Sequence, residues 1–322
     1  MESKETQVRE NGRASTLQKK GNTVPVESKL LDPNSIPMFG HPALNSPKNC
    51  VKFLEFKNGK SGIGEYSLSC WASDIKATCN GLILLDNNLK KGGVIVLNPV
   101  TKKVIALPVG TLCNHPHEES YGFAMSDVTG EYKVVHLVLD QLGFACCEIF
   151  SLYKKTWRDV NGPSIELVDN GGFGHVPVSA IGALHWPFYR SDYVVSMEVD
   201  EEKFHHIELP KSCTTHDRII EICGCLGFVT HEDMNHIDIW ILTSLCGEEW
   251  TKNHTITVET TRDMVPLCSL RFKGDIIFHT SDGSFYAYDF QQQQMTEIIG
   301  KINRLPWCLP HVNSLVTWDA RE

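Results

Sequence analysis

Val94-Ile95-Val96-Leu97-Asn98-Pro99, running on to Ala106-Leu107-Pro108, reads as a short apolar strand, a polar turn and a second strand closed by Leu-Pro. The same form recurs four times. Glu148-Ile149-Phe150-Ser151-Leu152 leads to Trp157-Arg158-Asp159-Val160, and Val194-Val195-Ser196-Met197-Glu198-Val199 leads to Ile207-Glu208-Leu209-Pro210. Ile237-Asp238-Ile239-Trp240-Ile241-Leu242 leads to Trp250-Thr251-Lys252, and Ser284-Phe285-Tyr286-Ala287-Tyr288 to Met295-Thr296-Glu297-Ile298. The starts, at residues 94, 148, 194, 237 and 284, are 54, 46, 43 and 47 residues apart, which is a period.

Ahead of each unit lies another strand or pair, for example Cys79-Asn80-Gly81-Leu82-Ile83-Leu84 and Tyr132-Lys133-Val134-Val135-His136-Leu137. About four strands per 40 to 50 residues is the arithmetic of a β-propeller blade, a unit that cannot bury its apolar faces alone. The expectation is an all-β, propeller-like array of five blades with a sixth to close it. The closing pair would be Val51-Lys52-Phe53-Leu54-Glu55-Phe56 and Val312-Asn313-Ser314-Leu315-Val316-Thr317-Trp318. Helical templates fit poorly, because 24 glycines and 15 prolines interrupt the chain.

Residues 1–49 differ in texture: they are polar, proline-bearing and without a period of 3.6 or 2. They read as a mostly disordered segment, and residues 50–322 as the propeller domain. The 322 residues are 42% hydrophobic and 21% charged, a globular composition. Twelve cysteines are too few for a disulfide scaffold, the first twenty residues lack an apolar signal core, and no run approaches the roughly 18 to 20 apolar residues of a membrane span. These point to a cytoplasmic or nuclear protein that binds no membrane. A net charge of -9 argues against nucleic acid and favours protein partners, basic ones above all.

Catalytic patterns are absent at sequence level: no Walker-type loop, no G-x-G-x-x-G and no G-x-S-x-G. His231 and His236 are five residues apart, about 140° around a helix, where a zinc helix needs four, so they read as an exposed loop. Cys113, His115 and His117 offer a soft ligand and two imidazoles, with no second cluster to complete a metal site. Cys146-Cys147 and Cys223-Gly224-Cys225 fall in apolar runs and read as buried thiols. His205-His206 beside Glu201-Glu202 reads as a solvated strand edge, Gln291 to Gln294 as a hairpin tip, and Asn253-His254-Thr255 as an unused glycosylation sequon. Trp157, Trp186, Trp240 and Trp250 recur at strand positions and are expected between blades, each indole N–H on a carbonyl. No residue takes a catalytic, cofactor, metal or partner-binding role from these patterns, and no cofactor is expected.

With the units laid out, seven stretches in order resemble those of plant F-box-associated domains. They are Cys79-Asn80-Gly81-Leu82-Ile83; Leu97-Asn98-Pro99-Val100-Thr101-Lys102-Lys103 ending in Leu107-Pro108; Tyr121-Gly122-Phe123 with Glu131-Tyr132-Lys133-Val134-Val135; and Glu148-Ile149-Phe150-Ser151-Leu152 with Trp157-Arg158. Gly182-Ala183-Leu184-His185-Trp186, Glu202-Lys203-Phe204 with Leu209-Pro210, and Ile237-Asp238-Ile239-Trp240 complete the series. The resemblance implies a kelch-like propeller without catalysis. It holds a target protein while an F-box binds a Skp-type adaptor, which joins the target to a cullin-RING ubiquitin ligase. Residues 1–49 show no F-box pattern, Leu31-Asp32-Pro33 being the nearest echo, so a free-standing or decoy interaction propeller stands as the alternative. Asn98-Pro99 is expected to open a turn, and Gly81 and Gly182 to let the chain bend.

Overall fold

The computed structural model describes residues 36–40, 50–57, 60–67, 72–87, 93–112, 118–139, 144–164, 172–188, 191–246, 249–259, 263–270, 275–299, 308–311 and 314–318. Among them are 24 β-strands and no helix. Strands β1 (Ile36–Gly40), β2 (Cys50–Lys57) and β3 (Lys60–Ser67) come first. The first blade follows as β4 (Ala72–Cys79), β5 (Leu82–Asn87), β6 (Val94–Leu97) and β7 (Val104–Ala106). The second is β8 (Glu118–Met125), β9 (Tyr132–Leu139), β10 (Ala145–Ser151) and β11 (Thr156–Val160). The third is β12 (Val178–Ala180), β13 (Ala183–Pro187), β14 (Tyr193–Glu198) and β15 (Phe204–Glu208). The fourth is β16 (Arg218–Ile222), β17 (Cys225–His231), β18 (His236–Leu242) and β19 (Thr251–Thr257). The fifth is β20 (Val265–Ser269), β21 (Ile276–His279), β22 (Phe285–Asp289) and β23 (Gln294–Ile299), and β24 (Cys308–Pro310) ends the series.

Each of the five blades is an antiparallel sheet of consecutive strands, as the period predicts. A sixth sheet closes the ring in the order β24-β1-β2-β3, with Met38, Phe39 and Gly40 paired to Pro310, Leu309 and Cys308. The inner strands β4, β8, β12, β16, β20 and β24 contact one another in cyclic order. Closure therefore differs from the expected pairing of 51–56 with 312–318. The C-terminal strand lies earlier, at 308–310, and β1, drawn from the segment read as disordered, sits between it and β2. The rest of residues 1–49 lies outside the described residues.

The apolar runs are explained by where they pack. Successive side chains of a strand point to opposite faces of its sheet, and here both faces are covered by neighbouring blades. Val134 joins the core between the first and second blades, and Val135 the core between the second and third. Val194 and Val195, Ile219 and Ile220, and Phe228 and Val229 divide in the same way. Gly122 has a packing reason: a Cβ there would lie 2.7 Å from Leu184 Cδ1 and 3.1 Å from Trp186 Cζ2 of the next blade. His185, fully buried, faces the Ser196 hydroxyl at 2.6 Å through Nδ1 and the Ala180 carbonyl at 3.1 Å through Nε2. Burial pushes its pKa down to about 4, so it is a neutral core residue.

Two tryptophans do what the sequence suggests. Trp157 Nε1 donates to the Pro108 carbonyl of the preceding blade at 2.7 Å, and Trp250 Nε1 to the Glu208 carbonyl at 2.8 Å. Trp186 and Trp240 are packed in the inter-blade cores, but their buried indole N–H groups have no hydrogen-bond partner among the described residues.

Asn98 joins the first blade to the chain's end. Its side chain is fully buried; Oδ1 accepts from Val100 N at 2.9 Å and Thr101 N at 3.1 Å, opening the expected Asn-Pro turn. Nδ2 donates to the Ser314 and Val316 carbonyls at 3.0 and 2.8 Å, and Trp318 packs into the first inter-blade core. Residues 314–318 are thus a clamp and not a strand. Asn98→Ala would leave several of these groups unpaired, at about 1–3 kcal/mol for a buried one. We expect it to lower the unfolding free energy by about 2–4 kcal/mol in a denaturant titration; a loss below about 0.5 kcal/mol, the usual surface level, would show that the clamp does not hold the ring.

Candidate protein-interaction face

Antiparallel strands sort the loops by parity. Within every blade the turns joining first to second and third to fourth strands lie on one face, the turn face. The second-to-third loops and the links between blades lie on the other, the connection face.

Most of the turn face is short and regular, the exception being the eight-residue segment 243–250 between β18 and β19. Asn80-Gly81, Ile181-Gly182 and Cys223-Gly224 are two-residue turns with both φ positive, the geometry that matches strand twist. Between third and fourth strands of the first, second, third and fifth blades stand four-residue turns whose last residue is left-handed: Lys102, Lys155, Glu202 and Gln293. Asn98 Oδ1, Ser151 Oγ and Asp289 Oδ1 cap three of them by accepting from backbone N–H groups inside the turn. All seven non-glycine residues with positive φ among the described residues lie on this face. Here too the second blade is tied to the third: Lys133 Nζ donates to Val199 O at 2.7 Å and to Glu202 Oε1 at 2.9 Å, and Arg158 pairs with the same carboxylate.

The connection face carries the longer and more varied segments, including 107–112, 172–177 and 209–217, and two seams on it hold ionisable groups. At the first, Gly110-Thr111 folds against β10. A Cβ at Gly110 would fall 1.8 Å from Glu148 Oε1, so glycine lets the backbone lie on that carboxylate. Thr111 N and Oγ1 donate to Glu148 Oε2 at 2.8 and 2.9 Å. Cross-strand register sets His136 opposite both Glu148 and Tyr121. Its Nδ1 is 2.8 Å from Glu148 Oε1, its Nε2 is 3.1 Å from Glu119 Oε2, and the Tyr121 ring stacks on it at 4.2 Å. Burial alone would push the imidazole down, but the two carboxylates outweigh it and raise the His136 pKa. The hydrogen bond from His136 holds Glu119 below the ordinary carboxylate range; at Glu148 burial pulls upward and is outweighed by His136 and Thr111.

At the second seam, between the third and fourth blades, the fully buried Asp217 accepts from Thr214 N at 2.7 Å and His231 N at 2.8 Å, and faces His231 Nδ1 at 3.2 Å. Burial would raise this carboxyl, and those partners hold it low instead. The link so anchored borders a cleft of about 320 Å³ whose lining includes Leu209, Thr214, Thr215, Ile219, His175 and Arg218; Phe188 and Tyr193 also border it but are themselves buried in the core between the second and third blades. Burial first, and the Arg218 charge second, depress His175 to about 4, so it is neutral near pH 7.

The residues singled out in the sequence fall elsewhere. Residues 232–235 form the expected exposed loop, but His231 and His236 end the strands on either side of it, half-buried, and His231 is engaged with Asp217. Gln291 to Gln293 form the tip between β22 and β23. His205 and His206 are half-buried on β15, the first against Glu198 and the second edge-on to the Tyr193 ring at 4.6 Å, rather than a fully solvated edge. Of the thiols read as buried, Cys147 is, and burial pushes it up to about 12; Cys146 on the opposite face is exposed, Cys223 is exposed in a turn, and Cys225 is half-buried. Asn253-His254-Thr255 lies on β19, where Thr255 Oγ1 donates to Asp238. Cys113, His115 and His117 lie outside the described residues, and among the described ones no three His, Cys, Asp or Glu residues are grouped to hold a metal. No motif in the sequence marks either seam, although His136 and Glu148 each interrupt an apolar run and signal a buried polar group.

The comparisons with known proteins meet this geometry. The family model for the F-box associated beta propeller domain matches residues 55–301. The chain belongs to that family. This F-box associated propeller is similar to an F-box protein of Arabidopsis thaliana, 26% identical over 216 residues, covering 57% of this chain and 51% of that protein. Another F-box protein of Arabidopsis thaliana is 23% identical over 230 residues, 64% of this chain and 62% of the other. The chain thus spans about half to three-fifths of such relatives. Among solved structures, TolB from Acinetobacter baumannii shares the fold, with a TM-score of 0.50 at 9% identity over 83% of this chain and 64% of that one.

The first seam predicts a pH dependence. A raised His136 pKa gives stability that is complete below the ordinary imidazole value, about 6.5, and lost as pH rises through the folded value. The lowered Glu119 and Glu148 contribute above the ordinary carboxylate value, about 4.3, and lose that contribution as pH falls through their folded values. The stability gap between wild type and His136→Gln is therefore expected to peak near pH 5 to 6.5 at about 3 kcal/mol and to shrink towards pH 9. Denaturant titrations across that range check it; a gap independent of pH would contradict the paired imidazolium.

Proposed function

We propose that this chain is the target-recognition part of an SCF-type E3 ubiquitin ligase, holding its target on the connection face while an F-box engages a Skp-type adaptor and, through it, a cullin. Membership of the F-box associated propeller family carries this reading, and the F-box proteins among its relatives support it. The loops favour the connection face for the target, because binding residues collect on varied segments held by a rigid scaffold. The reading includes no catalysis by the propeller itself: the buried carboxylates of Glu148 and Asp217 are committed to hydrogen bonds within the fold, which leaves them structural. It sets the protein in the cytoplasm or the nucleus.

The test is co-precipitation of the tagged full-length chain from plant extract, scored by mass spectrometry, with the turnover of co-purified proteins followed on overexpression. Adaptor and cullin peptides with faster turnover of a bound protein are the expected result. Bound proteins that are stabilised, with adaptor and cullin missing, would overturn the ligase reading and leave a decoy.

A further inference from the structure

β1 fixes where the chain enters the ring. Links between blades arrive on the connection face, so every inner strand, β24 included, runs from that face to the turn face. β1 pairs antiparallel with β24 and therefore starts on the turn face, where Ile36 lies opposite Phe56 beside the β2–β3 hairpin. The residues ahead of Ile36 leave the ring there, on the face that also carries residues 314–318.

That face presents three apolar side chains around the seam between the first and second blades. Val128, Leu315 and Tyr153 are 81, 71 and 63% exposed. Val128 lies in the turn between β8 and β9, and Tyr153 in the turn between β10 and β11. Both turns are stiff. Ser126 Oγ accepts from Thr129 N at 2.9 Å, Ser151 Oγ accepts from Lys154 N at 2.8 Å, and the Ser151 hydroxyl donates to Glu131, which ties one turn to the other. Leu315 is set beside them, because Asn98 holds Ser314 and Val316 on either side of it and Trp318 packs into the core that also contains Tyr132 and Leu152. Single exposed apolar residues are ordinary, but three held around one seam form a patch of the kind that marks a contact surface. Being fixed already, they lose little freedom when covered.

The sequence ahead of β1 supplies a matching segment. In Val24-Pro25-Val26-Glu27-Ser28-Lys29-Leu30-Leu31-Asp32-Pro33, the apolar Val24, Val26, Leu30 and Leu31 fall within eight residues. At no more than about 3.5 Å per residue, Leu30 reaches about 20 Å from Ile36 and Val24 about 40 Å. By the same measure Ser314 is at most about 14 Å from Pro310, the partner of Met38, which puts the patch within that span. Lys154 and Lys155 are exposed beside Tyr153, and Asp127 is exposed beside Val128, so the segment's Glu27, Asp32 and Lys29 have opposite charges to meet.

We infer that residues 24–33 of this chain dock on the turn-face patch, with Leu30 and Leu31 covering Val128, Tyr153 and Leu315. The inference goes beyond the ligase reading and needs no adaptor. It makes the turn face a self-contact that keeps the N-terminal segment off the connection face, which stays open to a target.

The test is amine-reactive cross-linking of the full-length chain, read by mass spectrometry as the yield of Lys29 joined to Lys154 or Lys155. Those cross-links are expected at a yield independent of protein concentration, with none from Lys29 to Lys211 on the connection face. Leu30→Asp combined with Leu31→Asp should lower the yield at least fivefold. Tyr153→Ser, at an exposed position, should do the same with an unchanged melting temperature. Cross-links missing from the wild type, or kept at full yield in either variant as tethering alone would allow, would overturn the docking. A yield that falls on dilution would assign the segment to a second copy and overturn the self-contact.

Discussion

A four-stranded sheet with apolar side chains on both faces cannot be completed by one neighbour. Every blade here needs a blade on either side, and that need is met only when the ring closes. The chain meets it by building the last sheet from both ends, with β24 inside and β1, β2 and β3 outside. Closure also turns one edge of every sheet, its inner strand, towards the centre of the ring, where it is protected from pairing with other chains. Asn98 adds to this from the first blade, since one amide holds the Asn-Pro turn with its oxygen and the C-terminal tail with its nitrogen. The stability of all the seams is thereby coupled to contacts far apart in sequence.

The same antiparallel arithmetic separates two kinds of surface. Outside the segment 243–250, the turn face is fixed by backbone geometry, with left-handed residues at set positions and side-chain caps that leave little room for variation in shape. The connection face is not so fixed, and its links are held by buried polar groups instead. Glu148 and His136 fill one seam with a hydrogen-bonded cluster, while Asp217 ties the link between the third and fourth blades to β17 beside a cleft. A rigid ring that presents differently shaped seams on one side suits selective binding of a protein segment.

Much of the ring was legible in the sequence because propeller blades repeat. The spacing of the units, the turn at Asn98-Pro99, the bends at Gly81 and Gly182 and the tip at Gln291 to Gln293 all follow from local chemistry. Closure was legible only in part. Ile36–Gly40 is short and lies among prolines, and its strand character comes from pairing with two segments distant in sequence. The tail at 314–318 has an alternating pattern, but its carbonyls are taken by Asn98 and not by a strand. Cys146 and Cys223 looked buried because their neighbours are apolar, whereas one points away from the packed face and the other sits in a turn. The His136 cluster and the cleft depend on register between strands and on how links fold back, which no single stretch of sequence encodes.

The central claim is that recognition belongs to the connection face. Its most direct measurement is hydrogen–deuterium exchange of the full-length chain, free and bound to a partner recovered with it. The account predicts protection on binding in 107–112, 172–177 and 209–217, with the two-residue turns at 80–81, 181–182 and 223–224 unchanged. Protection confined to those turns, with the links unaffected, would contradict it.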